Sequence, residues 1–411
     1  MHLHDSSILK NFFFDFKKIY ISSHSNLKLK LLDNAYNSVF DGDYFNTSTS
    51  VDLDKIISIN NIDSAISFNI FSGSNILDEI LNNIFDESIF IVDSLVLPFL
   101  KNQKQIKISD NKVFDINSIE TGAILSNIIK NIEKNKPKYL VGIGGGRTMD
   151  YLKFISMKTE IYSIGLPTSL SSHVYASPKI HALKPIQELG YKLTIDGNAC
   201  NLSFLDISVF EELYKKNPRL LYAGFGDISA FYTASLDWRL SIEKKQATQN
   251  EFVDDVINYI LTKLEDINIE LPLDTWIQDY FLMQVLLCYI TDWVGSAPAS
   301  GSEHLFALCV EKYPASLPLH GELVALGVLI FLSIHDKSKL EKVKEVLLSF
   351  GLPLSISKIG ITKQDMLQAL MESKKLGERK NRYTIINSLD ITIDYYNKKL
   401  EYLFHNNIIL D

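Results

Sequence analysis

Cysteine is scarce in this sequence, and the few cysteines present form no pattern. Cys200, Cys288 and Cys309 are the three in a chain of 411 residues, and no two of them have the CxxC spacing. Such isolated cysteines do not frame a small disulfide-bonded domain. They are therefore predicted to be buried thiols in a reducing compartment.

An excess of positive charge and a long apolar run are also missing. The formal net charge is −8, which argues against nucleic acid or an anionic membrane as a partner, because both favour a basic surface. The longest apolar run, residues 323–332, is well short of the roughly 20 residues that span a bilayer and indicates a buried helix. The first residues show no basic stretch followed by an apolar one, so no signal peptide and a cytoplasmic location are expected.

The sequence contains enough apolar residues to form more than one hydrophobic core. Hydrophobic residues make up 46% of the chain and charged residues 22%, and the length favours two domains. From about residue 66, short apolar strands alternate with amphipathic helices, a pattern typical of a doubly wound parallel sheet. After about residue 210 the apolar spacing is helical almost throughout. The prediction is an α/β half followed by an all-α half.

Individual elements follow from the same patterns. Strands are predicted over 67–73, 88–93, 104–109 and 138–144, and helices near 26–39, 75–85 and 118–135. No chemistry is predicted for residues 1–60.

A glycine turn follows the last of those strands. Gly144, Gly145 and Gly146 lie between the strand and the next helix, where the backbone and the helix amides could cradle a phosphate or pyrophosphate. A purely structural tight turn is the alternative, since the spacing is not the usual dinucleotide fingerprint. Asp150 and Lys153 lie one turn apart on that helix, and an exposed ion pair is the simplest account of them.

An acidic residue ends the preceding strand. Asp93 closes "SIFIVD", and an acid at the end of an early strand of a nucleotide-binding sheet can accept hydrogen bonds from a ribose diol. That role would favour NAD over NADP. An ordinary turn residue is the alternative.

Two histidines each open an apolar helical run. His304 lies in "GSEHLFALCV" and His320 in "LHGELVALGV", in helices joined by one loop that contains prolines. A histidine on an apolar run is more often a hydrogen-bonded core residue than a ligand. Two in adjacent helices favour a zinc or iron site, because imidazole is a common ligand of both metals.

Five segments together resemble a known family. "GIGGGRTMDYLKF", "LPTSLSSHVYASP", "AGFGDISAFYTASLDW", "APASGSEHLF" and "LHGELVALG" occur in this order. The combination resembles the glycerol-1-phosphate dehydrogenase branch of the iron-containing alcohol dehydrogenase and dehydroquinate synthase-like superfamily, over roughly residues 66–350.

The resemblance implies a fold and a division of the chain. The fold is an α/β Rossmann-like nucleotide-binding domain followed by an all-α C-terminal domain. The expected parts are an N-terminal extension of unknown role (1–60), a dinucleotide-binding domain (61–210) and a helical metal- and substrate-binding domain (211–411). A homo-oligomer is an open possibility.

The resemblance also implies a cofactor, a metal and their residues. NAD or NADP would be bound by a set of residues that includes Asp93: the others are Gly144, Gly145, Gly146, Asp150, Lys153, Thr168 and Ser171. One divalent metal, zinc first with iron or nickel as alternatives, would be bound by His304 and His320. Asp150 is expected near the reacting groups, and Glu303 and Glu322 could support the histidines or act as helix N-terminal acids.

One departure from the family pattern concerns the third metal ligand. The family has an aspartate where "PTSLSSHVYASP" places His173, and Val174 replaces a glycine. Three neutral imidazoles can bind zinc, so His173 is predicted to be the third ligand. The alternative is an ordinary loop residue in a site that has lost its metal. A further family histidine is missing, with Ala307 and Leu308 in its place.

The function implied is reduction of a small phosphorylated ketone, such as dihydroxyacetone phosphate, to glycerol 1-phosphate. The metal would polarise the carbonyl and NAD(P)H would supply the hydride. Arg147, Lys153 and Arg239 are candidates for binding the substrate phosphate. Two alternatives remain open: an NAD-dependent sugar-phosphate cyclase of the dehydroquinate synthase type, and a non-catalytic member of the fold.

Overall fold

The computed structural model of this chain describes most residues after residue 69. The described ranges are 28–31, 49–50, 70–99, 111–170, 173–192, 194–313, 318–389 and 392–411. The chain divides into two compact units, Met1–Lys216 and Asn217–Asp411. They are called the sheet unit and the helical unit below.

The sheet unit contains ten described strands. They are β1 (Lys28–Leu31), β2 (Thr49–Ser50), β3 (Ile70–Gly73), β4 (Ser88–Val92), β5 (Val113–Asp115), β6 (Tyr139–Gly144), β7 (Tyr162–Pro167), β8 (Lys179–His181), β9 (Thr194–Asp196) and β10 (Leu202–Asp206). Eight of them form one sheet in the order β2-β1-β3-β10-β7-β6-β4-β5, and β8 pairs with β9 in a separate hairpin. The described helices of this unit are α1 (Ile76–Asn83), α2 (Gly122–Asn135), α3 (Gly146–Thr159), α4 (Lys184–Glu188) and α5 (Ile207–Lys216).

The six strands from β3 to β5 in that order are parallel, and they contain a reversal of direction. From β4 the chain adds β5 on one side and then returns to add β6 on the other side. In doubly wound sheets the ligand crevice lies at such a reversal, outside the carboxyl ends of the two strands. The end of β4 and the glycine turn after β6 are therefore neighbours at the expected crevice.

The central strands are apolar because both faces of the sheet are covered. All residues of β4, β6 and β10 are buried, as is typical of parallel strands between helices. Gly142 in β6 allows α3 to approach closely, since a side chain there would collide with Leu152.

Two predictions near the start of the chain have different outcomes. The helix predicted near 26–39 is wrong over Lys28–Leu31, which form a strand that pairs antiparallel with β3. The alternation "LKLKL" has the two-residue period of a strand, and the apolar residues around it obscured that period. The strand predicted over 104–109 lies outside the described residues.

The described part of the helical unit contains helices and no strand longer than an isolated parallel bridge between Ser355 and Leu410. The helices are α6 (Arg219–Ile228), α7 (Phe231–Glu243), α8 (Glu251–Asp266), α9 (Leu273–Val294), α10 (Ser302–Val310), α11 (His320–His335), α12 (Leu340–Ser349), α13 (Ile356–Ile359), α14 (Lys363–Arg379), α15 (Ile385–Ser388) and α16 (Ile393–His405). The predicted order, an α/β half followed by an all-α half, is confirmed.

Helix α11 is the central helix of this unit. Residues 321–333 are all buried, so the apolar run at 323–332 is a core helix, as predicted. No helix in the described part of the chain is long and apolar enough to cross a membrane. The three cysteines are buried and form no disulfide in the described residues.

A buried aspartate joins the last strand of the sheet to helix α1. The carboxylate of Asp206, at the end of β10, accepts hydrogen bonds from the backbone N–H groups of Asn75, Leu77 and Ser208 at 2.9–3.1 Å. It therefore supplies the cap that the first turn of α1 lacks locally, since Asn75 makes no side-chain cap. Burial raises the pKa of Asp206 although these hydrogen bonds oppose the shift.

Replacement of Asp206 should therefore destabilise the sheet unit. We expect Asp206→Ala to lower its free energy of unfolding by about 2 kcal/mol, through loss of the cap and exposure of unpaired backbone donors. Asp206→Asn keeps one acceptor oxygen and should lose less. Urea denaturation measures both, with the exposed Asp196→Ala as the control, and equal midpoints for all three variants would contradict the capping role.

Candidate metal centre

Three helices of the helical unit bring one aspartate and two histidines together. Asp227 lies in the last turn of α6, His304 in the first turn of α10, and His320 is the first residue of α11. One possible ligand atom from each lies within 4.8 Å of the others. This spacing is what three side chains around one metal ion require.

The two imidazoles have the same arrangement. The Nε2 atoms of His304 and His320 lie 3.2 and 3.7 Å from Oδ1 of Asp227. On the opposite side of each ring, Nδ1 lies 2.9 Å from Oε1 of Glu303 and 2.6 Å from Oε1 of Glu311 respectively. A carboxylate on Nδ1 fixes the tautomer and directs the Nε2 lone pair towards a metal, as in carboxylate–histidine–metal sites.

The charges around the two rings favour a cation. Three carboxylates surround the pair: Asp227, Glu303 and Glu311. Burial opposes protonation of His304, but the carboxylates of Asp227 and Glu303 outweigh it and raise the pKa of His304 to about 9. The pKa of the buried Glu303 is lowered in spite of its burial, chiefly by the His304 ring. A buried glutamate that stays ionised beside the ring in this way also suits a divalent metal at the cluster.

Close packing of two helices places Asp227 beside His320. A side chain at Gly226 would overlap the carbonyl oxygen of Gly321, and a side chain at Gly321 would overlap the carbonyl oxygen of Ala223. The backbones of α6 and α11 therefore touch at this point, and only glycine permits the contact. The residue after Gly226 is Asp227 and the residue before Gly321 is His320.

The start of α10 is held by buried carboxylates. Oδ2 of Asp237, in α7, accepts from both the backbone N–H and the hydroxyl of Ser302 at 2.7 Å. Glu303 accepts from the N–H of Gly301 at 2.6 Å and from the Thr233 hydroxyl at 2.8 Å. These bonds fix the turn from which the His304 ring projects.

The sequence predictions for this cluster have mixed outcomes. His304 and His320 lie together as the sequence predicts, and Glu303 supports a histidine. Glu322 does not: it forms an ion pair with Arg219 and accepts from the N–H of Leu319 at 3.0 Å as a helix cap. Glu311 occupies the position against His320 instead.

Asp227 was missed as a candidate ligand. It lies inside "AGFGDISAFYTASLDW", one of the five segments that carry the resemblance. The Gly-Asp pair was the available signal, because glycine before an acid in a helix indicates close backbone packing at a polar site.

His173 lies in the sheet unit, in a turn after β7. Its carbonyl oxygen accepts from the backbone N–H groups of Ala176 and Ser177 at 3.0 and 3.2 Å. The cluster of possible ligands found in the described residues does not include it. Its role as a metal ligand stays a prediction.

The structure places most of the predicted cofactor residues at the crevice of the sheet unit. Gly144 ends β6 and Gly146 begins α3, and a side chain at Gly144 would collide with Thr148 and approach Asp93. The N–H of Asp93 donates to Ile143 at 3.0 Å, and the N–H of Thr168 donates to Gly144 at 2.9 Å. Ser171 lies outside the described residues. Binding of a cofactor by this group stays a prediction.

Asp150 and Lys153 form a pair that differs from the exposed one considered from sequence. Their side chains are 6% and 0% exposed, with 3.7 Å between Oδ1 and Nζ. Lys153 donates to the carbonyl oxygens of Val174, Ser177 and Lys179, and Asp150 accepts from the N–H of His181. Burial raises the pKa of Asp150 although Lys153 opposes the shift. The exposed-pair interpretation is wrong because the segment 174–181 covers both groups; their predicted cofactor and catalytic roles stay predictions.

Solved structures share this fold. A probable glycerol dehydrogenase from Sinorhizobium meliloti matches with a TM-score of 0.58 and 18% identity, over 82% of this chain and 96% of that chain. Glycerol dehydrogenase from Schizosaccharomyces pombe matches with a TM-score of 0.58 and 16% identity, over 82% of this chain and 89% of that one. At such identities the likeness establishes the architecture, an α/β unit with a parallel sheet followed by a helical unit.

Sequence comparisons establish the family. The family described as iron-containing alcohol dehydrogenase matches residues 99–212. The glycerol-1-phosphate dehydrogenase (NAD(P)+) of Staphylothermus marinus is 30% identical over 275 residues, 64% of this chain and 73% of that protein. The enzyme of the same name from Methanothrix thermoacetophila is 30% identical, over 61% of this chain and 69% of that protein. The chain belongs to the glycerol-1-phosphate dehydrogenase branch of the iron-containing alcohol dehydrogenase superfamily, a class of oxidoreductases.

The two glutamates near His320 give a direct test of the cluster. Glu311→Gln should lower Zn²⁺ affinity about tenfold, because a partner that orients a ligand is worth roughly ten- to a hundredfold. Glu322→Gln should mainly lower thermal stability, since Glu322 pairs with Arg219. Competition with a chromogenic chelator measures the affinities. Equal losses of affinity in the two variants would contradict the assignment of Glu311.

Proposed function

We propose that this chain is a metal-dependent NAD(P)H oxidoreductase that reduces a small phosphorylated ketone, such as dihydroxyacetone phosphate, to glycerol 1-phosphate. Its relatives named glycerol-1-phosphate dehydrogenase (NAD(P)+) support the reaction class and the cofactor. The observation that carries the proposal is the cluster of Asp227, His304 and His320, whose donor atoms and carboxylate partners suit one divalent cation.

The donor set fits zinc, with iron and nickel as alternatives. Two imidazole nitrogens and one carboxylate oxygen form a ligand set found in catalytic zinc sites, where a further position stays open for water or substrate. Asp227 restores the carboxylate that the family pattern has at the position of His173. His173 remains the proposed additional ligand. His173 belongs to the sheet unit. The metal affinity of a His173 variant is therefore the direct test of its role as a ligand.

The cofactor is proposed to bind at the crevice of the sheet unit. The amides that open α3 after Gly145 suit a pyrophosphate, and Asp93 beside the turn can accept from ribose hydroxyls. Oδ1 of Asp93 already accepts from the N–H of Leu95 and the amide of Asn117. These bonds hold the carboxylate at the edge of the turn, where a ribose with a free 2′-hydroxyl is favoured over a 2′-phosphate.

In this proposal the helical unit binds the metal and the sheet unit binds the cofactor. A metal held by Asp227, His304 and His320 would polarise the substrate carbonyl, and a bound reduced nicotinamide would supply the hydride. Glu303 and Glu311 keep each imidazole in the tautomer whose Nε2 lone pair is available. Glu303 is in turn held by Thr233 and by the N–H of Gly301, so the His304 ring is preorganised before substrate arrives.

The substrate phosphate needs a cationic partner, and the three candidate side chains have different surroundings. Lys153 is buried beneath the segment 174–181 and its ammonium is engaged there. Arg239 faces Asp254, with 3.8 Å between Nη2 and Oδ1. Arg147 is exposed in the first turn of α3, beside the glycine turn. Arg147 is therefore the preferred candidate.

Removing either histidine of the cluster should separate catalysis from cofactor binding. We expect His304→Ala and His320→Ala each to abolish NADH oxidation with dihydroxyacetone phosphate, and to leave NADH binding within about twofold, because the glycine turn belongs to the other unit. Stability should also fall, since metal binding is coupled to folding. The exposed His405→Ala in α16 is the control.

The same variants locate the ligands. Metal content should be lost in Asp227→Ala, His304→Ala and His320→Ala, and loss in His173→Ala would support its role as an additional ligand. Turnover that persists in metal-free His304→Ala protein would overturn the metal mechanism. Consumption of a sugar phosphate with no net change in NADH would identify a cyclase instead.

The choice between NAD and NADP rests on Asp93. We expect the unmodified protein to prefer NADH, and Asp93→Ala to weaken NADH binding by about 1–2 kcal/mol, the scale of lost hydrogen bonds to a charged group. Asp86→Ala, whose carboxylate is 99% exposed in the same unit, is the control. Fluorescence titration of both cofactors measures the effect. A preference of the unmodified protein for NADPH would contradict this placement of Asp93.

A further inference from the structure

A polar cavity lies in the helical unit, and Asp227, His304 and His320 do not line it. Its volume is about 690 Å³, and its walls come from α7, the end of α9 and the end of α14 with the residues that follow each. Cavities of this size accommodate small organic ligands. The sequence pointed to no function in this region.

Two cations dominate the chemistry of the cavity. Lys380 and Arg382 line it, and Glu378 is the acidic side chain among the lining residues. The Lys380 ammonium has no hydrogen-bond or ion-pair partner in the described part of the chain. Burial and the neighbouring Arg382 lower the pKa of Lys380. Two like charges that approach each other at a cavity wall create a demand for an anion between them.

The uncharged lining adds further donors. The side chain of Trp238 is 5% exposed and lines the cavity, and its indole Nε1 is buried without a hydrogen-bond partner. A buried donor left unpaired is costly, so such a group marks a place where a ligand or water completes the structure. Asn381 and Ser296 offer amide and hydroxyl groups at the same wall.

The position of Arg382 joins this cavity to the start of α10. Its guanidinium donates to the carbonyl oxygen of Ser300 and, at 2.7 Å, to the hydroxyl of Ser296. Burial lowers the pKa of Arg382, and the nearby carboxylates of Glu303 and Asp237 oppose that shift. Glu303 contacts Nδ1 of the His304 ring. Arg382 therefore lies between the cavity and the carboxylate that orients His304.

We propose that this cavity binds a phosphate-bearing small molecule, with Lys380 and Arg382 as its cationic partners. Phosphate oxygens match a guanidinium and an ammonium in charge and in hydrogen-bonding capacity. The apolar part of the ligand lies against Trp238. The inference goes beyond the proposed reaction, which does not require a phosphate site at this position.

Inorganic phosphate titrated into the metal-loaded protein tests the proposal. Saturable binding measured by calorimetry is expected, with a change in tryptophan fluorescence that disappears in Trp238→Phe. Lys380→Ala should weaken the binding about tenfold, the scale of a lost charge-assisted hydrogen bond at a partly exposed site. Lys374→Ala, an exposed lysine of α14 that does not line the cavity, is the matched control and should bind as the unmodified protein does.

Three results would overturn the proposal: no saturable binding, equal affinity in Lys380→Ala and Lys374→Ala, or loss of binding in His304→Ala. The last would assign the phosphate to the metal cluster. Reduction of dihydroxyacetone phosphate without Lys380-dependent phosphate binding would overturn this inference alone and leave the proposed function intact. Lys380-dependent phosphate binding in a protein without reductase activity would support this inference and overturn the proposed function.

The phosphate bound in the cavity could belong to the substrate or to a separate phosphorylated metabolite. Steady-state kinetics distinguishes these two cases. If the phosphate belongs to the substrate, the cavity replaces Arg147 as its binding site: Lys380→Ala then raises the KM for dihydroxyacetone phosphate, and inorganic phosphate inhibits competitively. If a separate phosphorylated metabolite is the source, KM is unchanged in Lys380→Ala and inorganic phosphate changes kcat only when Lys380 is present. Both patterns support the site.

Discussion

The candidate metal centre depends on one contact, the direct packing of helix α6 against the start of helix α11. Gly226 and Gly321 make that contact possible, because a side chain at either position would overlap the opposite backbone. The contact sets the carboxylate of Asp227 against the ring of His320. The second histidine is then brought in by the carboxylates that hold the start of α10. Backbone packing therefore comes first, and the electrostatics of the cluster follows from it.

Buried charge serves two purposes in this chain. In the helical unit, Glu303 and Asp237 are fully hydrogen-bonded and hold a catalytic candidate in one orientation. In the sheet unit, Asp150 and Lys153 are equally buried, but their bonds run to the backbone of the segment 174–181. Buried ions need such partners, because an unpaired charge in the interior is strongly unfavourable. The second pair positions the loop that carries His173.

The departure from the family pattern at His173 changes meaning once Asp227 is considered. From sequence, a histidine in place of an aspartate suggested either a three-histidine site or a lost metal. The structure shows a carboxylate within reach of both other histidines from a different helix. A cation-binding charge balance is therefore available without His173.

Much of this protein was determined by local patterns that a sequence displays. The period of apolar residues predicted the α/β half, the all-α half and the buried helix at 323–332. The short segments around His304 and His320 predicted that these two residues lie close together. Tertiary structure alone decided which groups support them: Glu311 rather than Glu322 faces His320, and Asp227 joins the cluster across 77 positions from His304. It also decided that Asp150 and Lys153 are buried and that Lys380 and Arg382 share a cavity. The physical reason is that the period of apolar residues shows which face of an element is buried. The partner of a polar side chain depends instead on how helices that are distant in sequence pack together. That packing is set by contacts such as the one between Gly226 and Gly321.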